Sequence, residues 1–312
     1  MTPVVSIVVP AFNSANHLAE TLNSVLGQTE PRWELVVVDD GSTDDTGLLA
    51  EHYARRDARI RTIRQSNGGV SIARMTGLAA TNHVSPYVSF LDADDVWDTR
   101  TLDTLIAVLE VSPDAVGAHG LAQFIDSHGR LIDIGCAEAY GRDRHAVVDS
   151  RVLAWPTDRP TTFGVLAFRN YIFTSGQVLI RRHQLEVSGG YKPSIRMAED
   201  WDLWLRLTSR GHLAFVDAVV LGYRRHEAAV SNDYRAMARG AMDVRRNLMT
   251  SAQLTEEQRQ LARTAYRLER LDSSSHSRAF ARACVARGDL WSALNHARRA
   301  FFASIDAAPA RP

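Results

Sequence analysis

Three carboxylates fall within four residues in Phe90-Leu91-Asp92-Ala93-Asp94-Asp95, directly behind the apolar run Tyr87 to Leu91. Like charges this close repel, and each is driven toward protonation unless a cation or hydrogen-bond donors keep it ionised. A divalent cation meets that demand simply. Aspartates supply the hard oxygens that Mg²⁺ or Mn²⁺ prefers, and such ions keep positions open for water and phosphate. The plainer alternative is an acidic strand-to-helix turn in which Asp98 or Thr99 caps the next helix. A second acidic pair, Asp39-Asp40, follows the strand expected over Glu34 to Val38, and a third, Glu199-Asp200, opens a stretch that also holds Trp201 and Trp204. Acid at a helix start is favoured by the exposed amides, which tend to keep it ionised.

The elements around these acids place them together. Val4 to Val9 is a β-branched run ended by Pro10, the pattern of a central parallel strand leaving its sheet. Ala11-Phe12-Asn13 then makes a loop, and Asn13 or Ser14 caps a helix to about Gln28 with Leu18, Leu22, Val25 and Leu26 on one face. A capping-rich start at Ser42 to Thr46 leads a helix to about Arg56, Ile60 to Ile63 forms a third strand, and Asn67-Gly68-Gly69 turns into a helix over Val70 to Ala80. Strands alternating with helices at this spacing predict βαβ units and a mostly parallel sheet with right-handed crossovers. Ligands of such sheets bind outside the carboxyl ends of the strands. The ends after Val9, Val38 and Leu91 therefore present Phe12, Asp39, Asp92 and Asp94 to one crevice. Pro10 to Asn13 contains no glycine, which excludes the dinucleotide fingerprint after the first strand. Lys192 is the single lysine and precedes Pro193, which excludes a Walker A loop, and a phospho-aspartate receiver lacks its strand-end lysine.

Past a helix from Thr99 to Leu109 the alternation changes. Val116 to Ile125 and Leu131 to Ile134 read as antiparallel strands around Ser127-His128-Gly129. Residues 136–170, rich in Arg, Pro and Thr, read as a mobile flap over the crevice. Then come a strand over Gly176 to Ile180, a short helix over Arg182 to Val187, a tight turn at Gly189-Gly190-Tyr191, a helix over Ala198 to Leu207, and last strands over Leu213 to Val220 and Leu221 to Tyr223, ending in Arg224-Arg225-His226. The tail reads as helical throughout: Tyr234 to Met249, Glu256 to Leu271, and a hairpin of Ser277 to Arg287 with Trp291 to Phe302 that looks like one tetratricopeptide-like repeat and would pack on the body.

The zero net charge hides an asymmetry. Arg235 to Ala300 holds thirteen Arg against six acids, a surplus of +7, and residues 1–234 carry −7. Such a tail either lies on anionic lipid headgroups or presents a solvated helix face. Cys136 and Cys284 are too few for a disulfide framework or a zinc site and point to free thiols in a reducing compartment. With no basic region ahead of the first apolar run and no stretch of eighteen apolar residues, neither secretion nor a membrane span is expected.

Four stretches, Val5 to Asn13 (Val-Ser-Ile-Val-Val-Pro-Ala-Phe-Asn), Glu34 to Asp44 with its Val-Asp-Asp-Gly-Ser core, Phe90 to Asp95, and Glu199-Asp200-Trp201, occur in an order that resembles the family 2 glycosyltransferases of the GT-A fold over about residues 3–230. The resemblance implies an α/β domain, a mostly parallel nucleotide-binding sheet flanked by helices. A donor half over 1–112 and an acceptor half over 113–230 would be followed by a helical extension over 231–312. It implies an inverting transfer from a nucleotide-sugar, a UDP-sugar first, to a hydroxyl of a glycan or lipid-linked acceptor, in the synthesis of bacterial surface polysaccharide or glycoconjugate.

By that resemblance Asp39 would accept a hydrogen bond from the base, Phe12 would pack on its ring, and Pro10 and Ala11 would line its edge. Arg74 would be the donor-site arginine. Asp92 would contact ribose or the metal's water shell, Ala93 would line the donor site, Asp94 would coordinate a Mn²⁺ or Mg²⁺ ion directly, and His226 would reach that metal or the diphosphate. Asp200 would be the catalytic base, and Glu199, Trp201, Gly190 and Tyr191 would shape the acceptor site, although tryptophans at i and i+3 equally fit a core stripe. The processive Gln-x-x-Arg-Trp signature is missing after Asp200, so single or few additions are implied. A cytoplasmic protein, peripheral on the inner face of the plasma membrane and with no nucleic-acid partner, is expected. The alternatives are a binding protein that keeps the fold without the chemistry, and a nucleotidyltransferase, which would need a Gly-rich phosphate loop that Pro10 to Asn13 does not supply.

Overall fold

The computed structural model describes residues 2–132, 137–226 and 233–270. Its centre is β1 (Val5–Ala11), buried along its whole length and parallel to both β2 (Trp33–Asp39) and β4 (Tyr87–Phe90). Odd residues of β1 turn their peptide groups toward β2, as Ala11 O does to Asp40 N, and even ones toward β4, as Val8 O does to Leu91 N. Pairing with β4 stops at Val8. Pro10 therefore lacks an N–H only where no partner strand needs one, which is why proline is tolerated in a central strand.

Outside these lie β3 (Ile60–Arg64) on one flank and, on the other, β5 (Val96–Trp97), β6 (Gly117–Ile125), β9 (Val178–Arg181) and β10 (Leu213–Arg224). The eight strands run β3-β2-β1-β4-β9-β6-β10-β5. β9 is antiparallel to both β4 and β6, and β5 is antiparallel to β10, while the remaining pairs are parallel. The mostly parallel sheet read from the sequence is thus the one found.

Strand alternation divides the core into two layers. Val5, Ile7, Val9, Leu35 and Val37 pack with α1 (Leu18–Leu26), α2 (Thr46–Arg56) and α4 (Thr101–Glu110). Val8, Val36 and Val38 pack with α3 (Val70–Ala79), and the same cluster takes in α6 (Phe163–Phe168), α7 (Arg182–Ser188), α8 (Glu199–Thr208) and α9 (Tyr234–Thr250). On α3, Gly77 lies so close to the sheet that a Cβ there would sit 2.4 Å from Val8 Cγ1 and 3.0 Å from Val38 Cγ2. Leu254, Ala262 and Ala265, the last two on a helix over 256–270, close the same layer.

Several expectations are corrected. Residues 137–170 are not a flap over the crevice. They form α5 (Ala137–Arg142), a hairpin of β7 (Arg144–Val148) with β8 (Arg151–Trp155), and α6, whose residues are all buried. The run Phe163-Gly-Val-Leu-Ala-Phe supplies core, and buried Arg144 ties the hairpin down by donating to Thr161 Oγ1 at 2.7 Å. The strand expected over Leu131 to Ile134 is a single bridge from Leu131 to Ile125, and Ile134 lies outside the described residues. The two last strands are one, β10, with an irregular register between Phe215 and Leu221. The two-residue β5 is too short to carry a sequence period and was not anticipated. The expected hairpin over Ser277 to Phe302 and both cysteines lie outside the described residues. No described helix is long and apolar enough to cross a membrane.

Candidate active site

A cavity of about 560 Å³ opens at the carboxyl ends of β1, β2 and β4 and is bounded on its far side by the stretch leading into α8. Pro10, Ala11 and half-exposed Phe12 line it from β1, Asp92, Ala93 and Asp94 from the turn after β4, and Glu199 and Asp200 from α8. Carboxylates separated by more than a hundred residues of sequence share one space.

At the end of β2 the aspartate expected at the cavity is not the one that lines it. Asp39 does not reach the cavity: its Oδ1 accepts the Ser42 N–H at 2.8 Å, and its Oδ2 lies 3.5 Å from Arg64 Nε, against Gly47. Neighbouring strand residues face opposite ways, and Asp40 is the one on the wall. Its carboxylate accepts from Gly68 N at 2.9 Å, Gly69 N at 2.8 Å and Gln65 Nε2 at 2.7 Å. Asp40 thereby satisfies amides that lead into α3, where negative charge is favoured by the helix dipole. The amides of the Asn67-Gly68-Gly69 turn find their anion in Asp40.

In the turn after β4 the three acids have different partners. Asp92 accepts from Arg74 Nη2 at 2.7 Å and from Thr174 Oγ1 at 2.9 Å. Asp94 Oδ2 lies 2.9 Å from His226 Nε2, just beyond β10. Asp95 is buried, accepts the Arg224 N–H at 3.0 Å, and has its carboxyl pushed well above the usual range by burial and by the charges of Asp94 and Asp92. Arg224, itself buried, clamps the turn: its guanidinium donates to Asp94 O at 2.7 Å, Asp126 O at 3.0 Å and Glu20. The ring of His17 packs 4.9 Å from that of His226. Thr174, Arg224 and His17 were missed as site residues because their contacts span long sequence separations that no local pattern reports.

Arg74 is a bridge rather than a free cation. Its guanidinium is 3% exposed, donates 2.7 Å bonds to Asp92 and to Glu199, and lies over the Tyr191 ring at 4.6 Å. Burial alone would pull its proton affinity down, but Asp92, Tyr191 and Glu199 hold it well above the ordinary value. Tyr191 is therefore not an acceptor contact: it is buried, its hydroxyl pairs with Ser175 Oγ at 2.7 Å, and its face supports Arg74. Gly190 does not line the cavity. It is buried against Met75, and its carbonyl accepts from Arg206 Nη2 at 2.7 Å. Trp201 is core, 4% exposed, with its indole N–H donating to Leu166 O at 2.9 Å. On a helix start only residues at one phase face the crevice, and these are Glu199 and Asp200.

Ala198 precedes α8 in the left-handed region, φ 58°, and this turn aims Glu199 and Asp200 at the cavity. Asp200 Oδ1 accepts the Trp201 N–H at 2.6 Å. Burial and then the charge of Glu199 raise the Asp200 carboxyl to about 7, with Arg74 opposing them. A carboxylate tuned to that range can accept a proton from a hydroxyl near neutral pH. Asp94 and His226 offer an oxygen and an imidazole donor to a cation. Among the described residues no third His, Cys, Asp or Glu joins them in a ligand group. Mg²⁺ and Mn²⁺ commonly take few protein ligands and fill the rest of their shell with phosphate and water, so the pair fits such an ion.

The family model for glycosyl transferase family 2 matches residues 6–177. A putative teichuronic acid biosynthesis glycosyltransferase of Bacillus subtilis, TuaG, is 28% identical over 236 residues, 74% of this chain and 82% of that one. The uncharacterized glycosyltransferase EpsJ of the same organism is 47% identical over 95 residues, 30% of this chain and 27% of EpsJ. A relative from Rickettsia felis is likewise matched over only 31% of its length. Among solved structures, Staphylococcus aureus TarS in complex with UDP-GlcNAc superposes with a TM-score of 0.61 at 19% identity, covering 84% of this chain and 70% of that one. The mannosyltransferase PcManGT from Pyrobaculum calidifontis, in complex with GDP-Man and Mn²⁺, gives 0.65 at 17% identity, covering 98% and 87%. The fold of these transferases is the GT-A fold, and it is the fold of this chain.

Proposed function

The chain belongs to glycosyl transferase family 2, and from that premise we propose that it is an inverting enzyme moving a sugar from a nucleotide-sugar, a UDP-sugar first, to a hydroxyl of a glycan or lipid-linked acceptor. The observation that carries this reading is Asp200, tuned to about 7 and facing the same cavity as Asp92 and Asp94. UDP-GlcNAc in TarS and GDP-Man in PcManGT support a nucleotide-sugar as the donor class.

In this reading Phe12 packs on the base, and Pro10 and Ala11 line its edge. Asp40, in place of Asp39, accepts its hydrogen bond. A carboxylate offers about four acceptor positions, and three of Asp40's are filled by Gly68, Gly69 and Gln65, which leaves one on Oδ2 open. Asp94 and His226 would hold the Mn²⁺ or Mg²⁺ ion, whose bound charge would stabilise the departing nucleoside diphosphate. Asp92 and Glu199 are both held by Arg74, which keeps the wall beside the donor sugar fixed. With Oδ1 held by Trp201 N, Asp200 Oδ2 takes the proton of the acceptor hydroxyl. The hydroxyl oxygen then forms its bond to the anomeric carbon as the bond from that carbon to the diphosphate oxygen breaks. One carboxylate is enough for inversion by this displacement, and among the described residues Asp200, unlike Asp92 and Glu199 beside it, has no arginine bonded to it.

We place the reaction in surface polysaccharide or glycoconjugate synthesis, on the cytoplasmic side of the plasma membrane. Exposed Arg235 and Arg239 on α9 support peripheral contact with anionic lipid. The test is a screen of nucleotide-sugars for hydrolysis with Mn²⁺ and Mg²⁺, run on the wild type and on Asp200→Asn. One donor should be consumed in a metal-dependent manner, and Asp200→Asn, still folded, should lose about 10²-fold or more of transfer. Full transfer by Asp200→Asn would remove the base from its role.

A further inference from the structure

The cavity wall carries three arginines, Arg74, Arg196 and Arg224. Two of them are committed: Arg74 bridges Asp92 and Glu199, and Arg224 is spent on Glu20, Asp94 O and Asp126 O. Arg196 is different. It is exposed, and among the described residues no carboxylate pairs with it, although five acids, Asp40, Asp92, Asp94, Glu199 and Asp200, line the same space. A guanidinium left unpaired in so acidic a setting points to an anion brought by a ligand.

The backbone holds Arg196 in place. Ile195 before it is buried and donates its N–H to Lys192 O at 3.0 Å. Met197 after it is wedged against α9, where a Cβ on Gly240 would lie 2.4 Å from Met197 Cβ. Ala198 then turns the chain into α8. Arg196 thus sits four residues ahead of the proposed base on the same short stretch, whereas the proposed metal pair, Asp94 and His226, belongs to the ends of β4 and β10. Met197 and Met237 line the cavity with it and offer adaptable apolar surface beside the charge.

From this we propose that Arg196 binds an anionic group, carboxylate or phosphate, on the acceptor, and that the enzyme thereby selects charged over neutral acceptors. The proposal rests on the transferase reading above. Two matched pairs of acceptors test it: p-nitrophenyl glucuronide against p-nitrophenyl glucoside, and an alkyl diphosphate-linked N-acetylglucosamine against the corresponding alkyl glycoside. In the full chain the anionic member of one pair should be preferred. Arg196→Ala should lower the anionic-to-neutral ratio of kcat/KM by roughly ten- to a hundred-fold, mainly through the acceptor KM, as expected for a charge-assisted hydrogen bond. Arg196→Lys should restore part of the ratio, and Arg196→Glu should depress it further. The pair that responds identifies carboxylate or phosphate as the group. A ratio unmoved by Arg196→Glu, a wild-type preference for the neutral member of both pairs, or a donor KM raised by the same factor as the acceptor KM would overturn the proposal. Failure of the wild type to consume any nucleotide-sugar would overturn the transferase reading with it, whereas consumption with an unmoved ratio overturns this proposal alone.

Discussion

Replacing Arg74 with methionine keeps most of the side-chain volume and removes one charge, and it should be felt in two separable ways. The guanidinium is 3% exposed and holds Asp92 and Glu199 at 2.7 Å each. Removing one partner of a buried ion pair costs about 3–5 kcal/mol. Asp92 is 28% and Glu199 13% exposed, so water relieves part of the loss, which puts the cost at about 3 kcal/mol. For a domain of this size that is a fall of roughly 6–12 °C in Tm.

The second effect falls on Asp200. Burial and Glu199 raise its carboxyl to about 7 while Arg74 pulls it down, so without Arg74 it should rise further. Asp200 acts as a base only when ionised, so turnover is lost as pH falls through its pKa. The acid limb of the kcat/KM profile should therefore move to higher pH, by roughly one unit for each 1.36 kcal/mol of lost attraction. The deficit of Arg74→Met against wild type should be largest near neutrality and shrink toward pH 9. A pH series of initial rates beside thermal unfolding reads both effects. A lowered Tm with an unmoved acid limb would refute the electrostatic link from Arg74 to the base, and an unchanged Tm would refute the bridge itself.

Asp40→Asn should raise the donor KM about tenfold, the loss of one charge-assisted hydrogen bond, whereas Asp39→Asn should leave donor KM within about twofold; steady-state kinetics on both variants decide which aspartate meets the base. Trp201→Phe leaves Leu166 O without its 2.9 Å donor and should cost about 1–3 kcal/mol in denaturant unfolding, with acceptor KM unchanged. Ala198→Gly relieves the left-handed backbone and should raise stability by up to about 1 kcal/mol, measured as a higher denaturant midpoint at equal m-value.

The sheet was legible because its strands are written in β-branched residues at fixed spacing, with the acids at their ends. Val5 to Val9 and Leu35 to Val38 have no competing period, and parallel strands buried on both faces look like nothing else of that length. Alternation was also where the reading slipped. At the end of β2 two aspartates stand side by side, and only the backbone's exit from the strand decides that Asp40 and not Asp39 turns inward. Tyr191 and Trp201 failed for a related reason. A large aromatic beside an acid motif serves equally as a sugar platform or as the floor under an arginine, and burial separates the two. Residues 137–170 were opaque because their core contacts are made with α8, α9 and the helix over 256–270, far along the chain. Arg196 carries no local signature, and it stands out only once Arg74 and Arg224 are seen to be engaged.

Gly77 stands one turn along α3 from Arg74, on the side pressed to the sheet. A single added methyl there would act as a wedge between α3 and the adjacent-strand valines Val8 and Val38, lifting the helix and carrying the arginine away from both of its acids. An alanine at this position should therefore look like an enzymatic lesion even though no ligand could ever touch it. The reach of one guanidinium is gauged by a missing side chain in the core.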